Sequence, residues 1–281
     1  MERSTATKIF LDSSDPKETE GIIAHLGYID GQTTNPSQIA KTPEAQKRLE
    51  EGNKFGTEEV YEFYKGVIGS IRAIMPEGSI SAEVYADSTT TADAIITQAK
   101  EMYEWTPGAH IKIPIMKEGL RAAEILTGEG MRVNMTLCFS QSQAAAVYAA
   151  TRGAEKGQVF ISSFIGRLDD QGERGITLVE NIMKMYERSD GHVEVLTASV
   201  QNLDHLIQAF QAKSDIVTAT YKVLKEWDGT NTANNTAEEN LRPVPYEDIS
   251  LERAWDEYDI THPLTTKGIQ RFADDWNEII E

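Results

Sequence analysis

The feature that most limits what this chain can fold into is an alternation of short β-rich runs with segments of helical period. The runs are Lys8 to Asp12, Gly27 to Asn35, Ser79 to Ala86, Ala109 to Ile115, Arg132 to Phe139, Gln158 to Gly166, Val193 to Ser199 and Asp215 to Tyr221. Between them apolar residues recur at helical spacing, as at Leu120, Ala123, Ile125 and Leu126. Cap residues stand where helices should begin: Asp15 before Pro16, Ser88 with Thr89, Ser140 with Gln143, and Asn202. Runs that follow one another through helices, without hairpin turns, build a parallel sheet, and eight of them favour closure into a (β/α)8 TIM barrel. An open doubly wound sheet is the alternative, but no G-x-G-x-x-G follows the first run. The length of 281 residues suits a barrel of this kind.

The barrel is expected to occupy residues 1–228. Residues 229–281 form an extension. It starts with a polar insertion rich in Asn, Thr and Pro, "DGTNTANNTAEENLRPVP", and ends in a helix whose Ile269, Phe272, Ala273, Trp276 and Ile280 share one face. That face should pack on the barrel or on a neighbouring subunit, and a homo-oligomer is expected.

Lys and Arg number 27 against 45 Asp and Glu, a net charge of −18, which argues against nucleic acid or an anionic membrane as partner and suits a small-molecule ligand. The single cysteine, Cys138, excludes an intramolecular disulfide and a thiolate zinc cluster, and reads as a core residue. The five histidines, His25, His110, His192, His205 and His262, show no metal-ligand spacing, so neither a metal nor another cofactor is expected. No apolar run is long enough to span a membrane, and "MERSTATKIFLDSSD" lacks the order of a signal peptide, so a cytoplasmic location is expected.

The stretch "AHIKIPI" carries the chemistry. In an extended chain Ile111, Ile113 and Ile115 share one side, while His110, Lys112 and Pro114 share the other. The third run repeats the pattern, with Ser81, Glu83 and Tyr85 on one face. In such barrels reactive groups gather at the carboxyl ends of the strands. Polar residues fall there: Asp12, Thr33, Thr34, Asn35, Glu83, Lys112, Asn134, Thr136, Ser162, Arg167 and Ser199. A lone Glu83–Lys112 pair could be structural filling, and Thr33, Thr34 and Pro36 a mere strand-to-helix turn capped by Asn35 or Ser37. An Asp, a Glu, a Lys, an Asn and several hydroxyls together are poor filling. Burial disfavours the charged form of an amine, and a neutral amine can attack a carbonyl to form an imine. Lys117 and Arg121, one turn apart on the next helix, read as a solvated face.

The blocks "DGQTTNPSQI", "SAEVYA", "IKIPIMKEGLRAA", "NMTLCFSQSQA", "SSFIGRLDD" and "TASVQN", in this order, resemble the transaldolase and fructose-6-phosphate aldolase family from about Ile9 to Lys225. The polar insertion lies outside that resemblance. It implies a metal-free class I aldolase barrel in carbohydrate metabolism, with Lys112 as the Schiff-base lysine and Asp12 as the aspartate moving protons during C–C cleavage. By the same resemblance Glu83 and Thr136 relay a proton through a water, while Asn35 and Asn134, with Thr33 beside them, orient substrate hydroxyls. Ser162 and Ser199 resemble the pocket serines, and Arg167 the arginine at the phosphate end. Glu83 stands where the aldolases carry glutamine, and Phe164 where they carry tyrosine, so both choices resemble the transaldolases, in which a dihydroxyacetone unit passes from a ketose phosphate to an aldose of the pentose phosphate pathway. An enzyme releasing free dihydroxyacetone is the alternative, and a non-catalytic sugar-phosphate binder a more distant one. One position departs: Gln201 stands where transaldolases place a phosphate-binding arginine, and an amide cannot make the charge-assisted fork of a guanidinium.

Overall fold

The computed structural model describes residues 5–232 and 240–281. Residues 1–4 of the leader reading and 233–239 of the polar insertion lie outside the described residues. Eight parallel strands close into a barrel in chain order: β1 (Lys8–Asp12), β2 (Gly31–Thr33), β3 (Ser79–Glu83), β4 (Ala109–Pro114), β5 (Val133–Cys138), β6 (Val159–Phe164), β7 (Val193–Val200) and β8 (Ile216–Ala219). β8 pairs with β1, so the ring is complete. β1 coincides with its run and β7 extends one residue past it, but the other strands are shorter than the β-rich runs, most of all β2, because the ends of several runs turn into caps. Asn35, for instance, caps the short helix Pro36–Ala40 and accepts from Gln38 N at 2.9 Å.

Three of the four expected caps stand where the sequence placed them: Asp15, Ser140 and Asn202 each accept a backbone N–H from the first turn of their helix. The fourth does not. Thr91, not Ser88, caps the helix Ala92–Tyr103. The reason is local: Asp87 accepts from Thr89 N at 2.8 Å and from Thr90 Oγ1 at 2.9 Å, making a turn that delays the helix by three residues.

Alternation divides the strand side chains into two shells. Ile111, Ile113 and Ile115 face the helices and are completely or almost completely buried, as are Ile9, Leu11, Val133 and Met135. The other parity fills the barrel. At its amino end Phe10 and Phe160 meet edge to face, with ring centroids 6.0 Å apart, and His110 stacks on Phe160 at 3.9 Å. Gly31 makes room for this floor, since a Cβ there would lie 2.6 Å from the Phe10 ring. His110 Nε2 faces the Gly157 carbonyl at 3.0 Å and therefore carries the proton, so Nδ1 accepts from Ser79 Oγ at 2.8 Å. Burial holds this imidazole neutral, its pKa pushed down to about 3. Cys138 is fully buried, and burial pushes its thiol up to about 12.

The extension folds back over the carboxyl end of the barrel. Arg242 and Pro243 pair with Glu173 and Arg174, Gln143 Nε2 donates to the Ile260 carbonyl at 3.0 Å, and the helix Pro263–Glu278 lies across the mouth. Its buried face holds Thr265, Gly268, Phe272, Ala273 and Trp276, while Ile269 and Ile280 are half-buried. Gly268 lets the helix approach closely, because a Cβ would meet Leu137 Cδ2 at 2.7 Å, and Thr265 Oγ1 donates to the Leu137 carbonyl at 2.9 Å. Among the described residues no helix is long and apolar enough to cross a membrane.

Candidate active site

Lys112 and Glu83 are register partners on neighbouring strands, so their inward side chains meet: Lys112 Nζ lies 3.0 Å from Glu83 Oε2, with 4 % and 2 % of the side chains exposed. Lys112 is in register with Asn134 and Pro114 with Thr136, which brings the polar residues of β5 alongside. Asn134 donates to Ser81 Oγ at 3.1 Å and accepts from Ser162 Oγ at 2.7 Å, so its amide is oriented from both sides. On the opposite wall Asp12 Oδ1 accepts from Thr33 Oγ1 at 2.9 Å and from Gln38 Nε2 at 2.7 Å. The Thr136 hydroxyl is buried and has no hydrogen-bond partner among the described residues.

These groups border a cavity of about 320 Å³. Asp12, Thr33, Asn35, Lys112, Ser162, Phe164, Arg167 and Ser199 all line it. Glu83, Asn134 and Thr136 do not line it; Glu83 and Asn134 flank Lys112 at its own level on the neighbouring strands, and Thr136 stands level with Pro114, nearer the mouth. Gln201 is set apart: its stem packs on Gly166, where a Cβ would lie 2.7 Å from the amide carbon, and its Nε2 donates to Asp170 Oδ2 at 3.3 Å. It does not line the cavity. A larger cavity of about 550 Å³ lies under the extension, between Met116, Trp255 and His262, but Lys112 does not reach it.

Burial raises the Glu83 carboxyl, the Lys112 charge opposes this, and its pKa settles at about 7 against an ordinary 4.5. A carboxyl near neutrality can both give and take a proton at physiological pH. Its backbone is fixed by Tyr64. Thr34 Oγ1 gives its proton to the Ser81 carbonyl at 2.8 Å, so the Tyr64 hydroxyl donates to Thr34 Oγ1 and accepts from Glu83 N at 2.9 Å. Burial raises the Tyr64 phenol, which keeps it a neutral donor.

Two strand irregularities shape the rim. The β7–β8 register slips between Thr197 and Val200, and Ser199 sits there at φ 58°; the β5–β6 register slips between Met135 and Cys138, with Leu137 at φ 63°. Left-handed backbone at non-glycine residues is uncommon, and bulges that re-aim strand ends gather near active sites.

Sequence reasoning missed several residues. Gln38 lies in the run DGQTTNPSQI, three residues past the cap Asn35, so its reach to Asp12 had a signal. Tyr64 lies on the helix Thr57–Ile74 and had none. Lys41, Arg271 and Phe272 also line the cavity, and Lys112 Nζ is 5.9 Å from the Phe272 ring. The face of the last helix showed that Phe272 is buried, but not that it lies over a lysine. Lys117 and Arg121 are exposed. Among the described residues no three His, Cys, Asp or Glu side chains are gathered where they could hold a metal ion.

The family model described as Transaldolase/Fructose-6-phosphate aldolase matches residues 9–281. It runs through the polar insertion and the last helix, which the sequence motifs alone left outside the resemblance. A probable transaldolase of Dehalococcoides mccartyi is 33% identical over 272 residues, covering 97% of this chain and 99% of that one. Probable transaldolases of Herpetosiphon aurantiacus (33% over 272 residues, 97% and 96% covered) and Caulobacter vibrioides (35% over 269 residues, 96% of each) are similar over the same span. With a closed parallel barrel and a match over nearly its whole length, the chain belongs to the transaldolase/fructose-6-phosphate aldolase family.

Proposed function

We propose that this chain is a transaldolase that moves a dihydroxyacetone unit from a ketose phosphate to an aldose through a Schiff base on Lys112. One observation supports this above the others: an amine buried inside the barrel borders a cavity, with a carboxyl of near-neutral pKa 3.0 Å away.

Lys112 Nζ, once neutral, attacks the ketose C2 carbonyl. The carbinolamine loses water as Glu83 supplies a proton through a water held by Thr136, leaving a protonated imine. Asp12 takes the proton of the C4 hydroxyl, the C3–C4 bond breaks, its electrons pass to the imine nitrogen, and an aldehyde leaves. The enamine then attacks the acceptor aldehyde while Asp12 returns its proton to the new hydroxyl, and hydrolysis of the imine frees the product. Asn35 and Ser162, which line the cavity, and Asn134, hydrogen-bonded to Ser162, hold the hydroxyls of the three-carbon unit in this reading. The acid at position 83 and the phenyl ring at 164 support transfer over release of free dihydroxyacetone. The acidic surface and the lone buried thiol are in keeping with a cytoplasmic enzyme acting on small molecules.

The test is turnover of fructose 6-phosphate with and without erythrose 4-phosphate, together with borohydride trapping of the imine. Product that forms only with the aldehyde acceptor supports transfer. Free dihydroxyacetone without it would make the protein an aldolase, and no trapped adduct would leave a binder.

A further inference from the structure

We propose that Arg271, on the C-terminal helix, supplies a cation of the subsite for the terminal oxyanion of the ketose, in place of a charge at position 201; this rests on the function proposed above. The mouth of the Lys112 cavity carries Lys41, Arg167 and Arg271, with Asp12 as the acidic residue of its lining. Asp12 is engaged by Thr33 and Gln38. In a chain of net charge −18, three cations around one opening are a local reversal of sign that draws in an anion.

Gln201 cannot supply that charge: its amide is neutral, lies along Gly166, and turns to Asp170. Arg271 is held toward the opening. Asp275, one turn on, lies 3.8 Å from Arg271 Nε, and Ser37 beside the mouth hydrogen-bonds to the same Asp275 oxygen. The close approach of Gly268 to Leu137 fixes the helix itself. Burial, with Arg271 as a second cause, lowers the pKa of Arg167, so the two guanidinium groups repel each other across the cavity. An oxyanion between them removes that repulsion and gains charge-assisted hydrogen bonds. The plainer reading is a surface arginine, 48 % exposed and paired with its own i+4 acid, that does nothing for the ligand.

The two readings separate by the concentration of donor that half-saturates borohydride-trapped adduct at Lys112. Fructose 6-phosphate is the charged probe, fructose the uncharged one, and dihydroxyacetone the control for imine formation. The wild type should half-saturate at a much lower concentration of fructose 6-phosphate than of fructose. Arg271→Gln should raise the fructose 6-phosphate value by about tenfold or more, the effect of losing one charged hydrogen bond. Its maximal adduct should be kept, and Arg271→Lys should recover part of the loss. An Arg271→Gln curve that superimposes on the wild type overturns the inference, as does a wild type with no preference for the phosphate ester. Equal shifts for fructose and fructose 6-phosphate overturn it too, because the arginine would then be holding the helix. Failure of dihydroxyacetone to label Lys112 would count against the Schiff-base reading itself.

Discussion

Two lysine–glutamate pairs lie inside this barrel, one at each end. At the amino end Lys8 Nζ approaches Glu194 Oε1 at 2.8 Å, and near the carboxyl end Lys112 Nζ approaches Glu83 Oε2 at 3.0 Å. By sequence they are alike: each residue has inward parity on its strand. Their surroundings differ. The Lys8 side chain is 44 % exposed, so water carries much of its charge, whereas that of Lys112 is 4 % exposed. Below Lys112 the interior is plugged by His110, Phe160 and Phe10; on its mouth side it opens to the cavity. The contrast teaches that an inward ion pair becomes chemically poised only where burial and an approach for ligand coincide. A buried pair contributes little to stability as such, because desolvation offsets the attraction.

The contrast can be broken most sharply at Lys112. Lys112→Met should abolish both borohydride-trapped adduct and turnover, read by intact-protein mass and by product formation; label that persists would move the imine to another lysine. Next in size, Glu83→Ala should lower kcat by roughly 10² to 10⁴ with the fold intact, the usual range for a general acid or base. Full kcat in a protein that only melts earlier would make the pair at this end structural, like its counterpart.

A third, smaller effect is on stability against pH. The folded pKa of Glu83, about 7, lies above its ordinary 4.5, so between these values the folded chain holds the proton that the unfolded chain has lost. Bound protons in the native state then exceed those in the unfolded state, and this carboxyl's contribution is fully present below about 4.5 and lost as pH rises through 7. Denaturant midpoints of the wild type should therefore fall relative to Glu83→Gln over that window; parallel curves would mean that Glu83 is ionised throughout. The smallest effect belongs to the amino end. Replacing both partners, Lys8→Met with Glu194→Gln, should change stability by under about 1 kcal/mol, as for partly exposed pairs, and leave adduct formation intact. A loss of adduct there would join the two ends into one network.

The interior of the barrel was legible because alternation is a strict rule: once β3 and β4 are strands, Glu83 and Lys112 share a face, and parallel pairing sets them side by side. The same rule put Asp12, Asn134 and Ser162 inside. Where the chain leaves ideal strand geometry the rule fails. Ser199, at φ 58°, sits within the register slip between Thr197 and Val200 at the end of β7, and Gln201 two residues on does not line the cavity. The cap at Thr91 escaped notice for a similar reason, since Asp87 competes for the same turn. The last helix shows a third limit: a face of Phe272, Ala273 and Trp276 says that something covers it, but not which end of the barrel.

The position of that helix also has a consequence for the order in which the molecule is made. Synthesis proceeds from the amino end, and domains can begin to fold as they emerge. All eight strands precede the helix Pro263–Glu278 in the chain, so the sheet can close, with Lys112 and Glu83 already paired, before Phe272 and Arg271 exist. A nascent chain at that stage has an amine-bearing barrel with its mouth uncovered. The covering arrives afterwards, when Gly268 settles against Leu137 and Asp275 meets Ser37. Closure of the barrel and covering of its mouth can thus be separated in time during biosynthesis, although in the finished molecule the two elements are in contact.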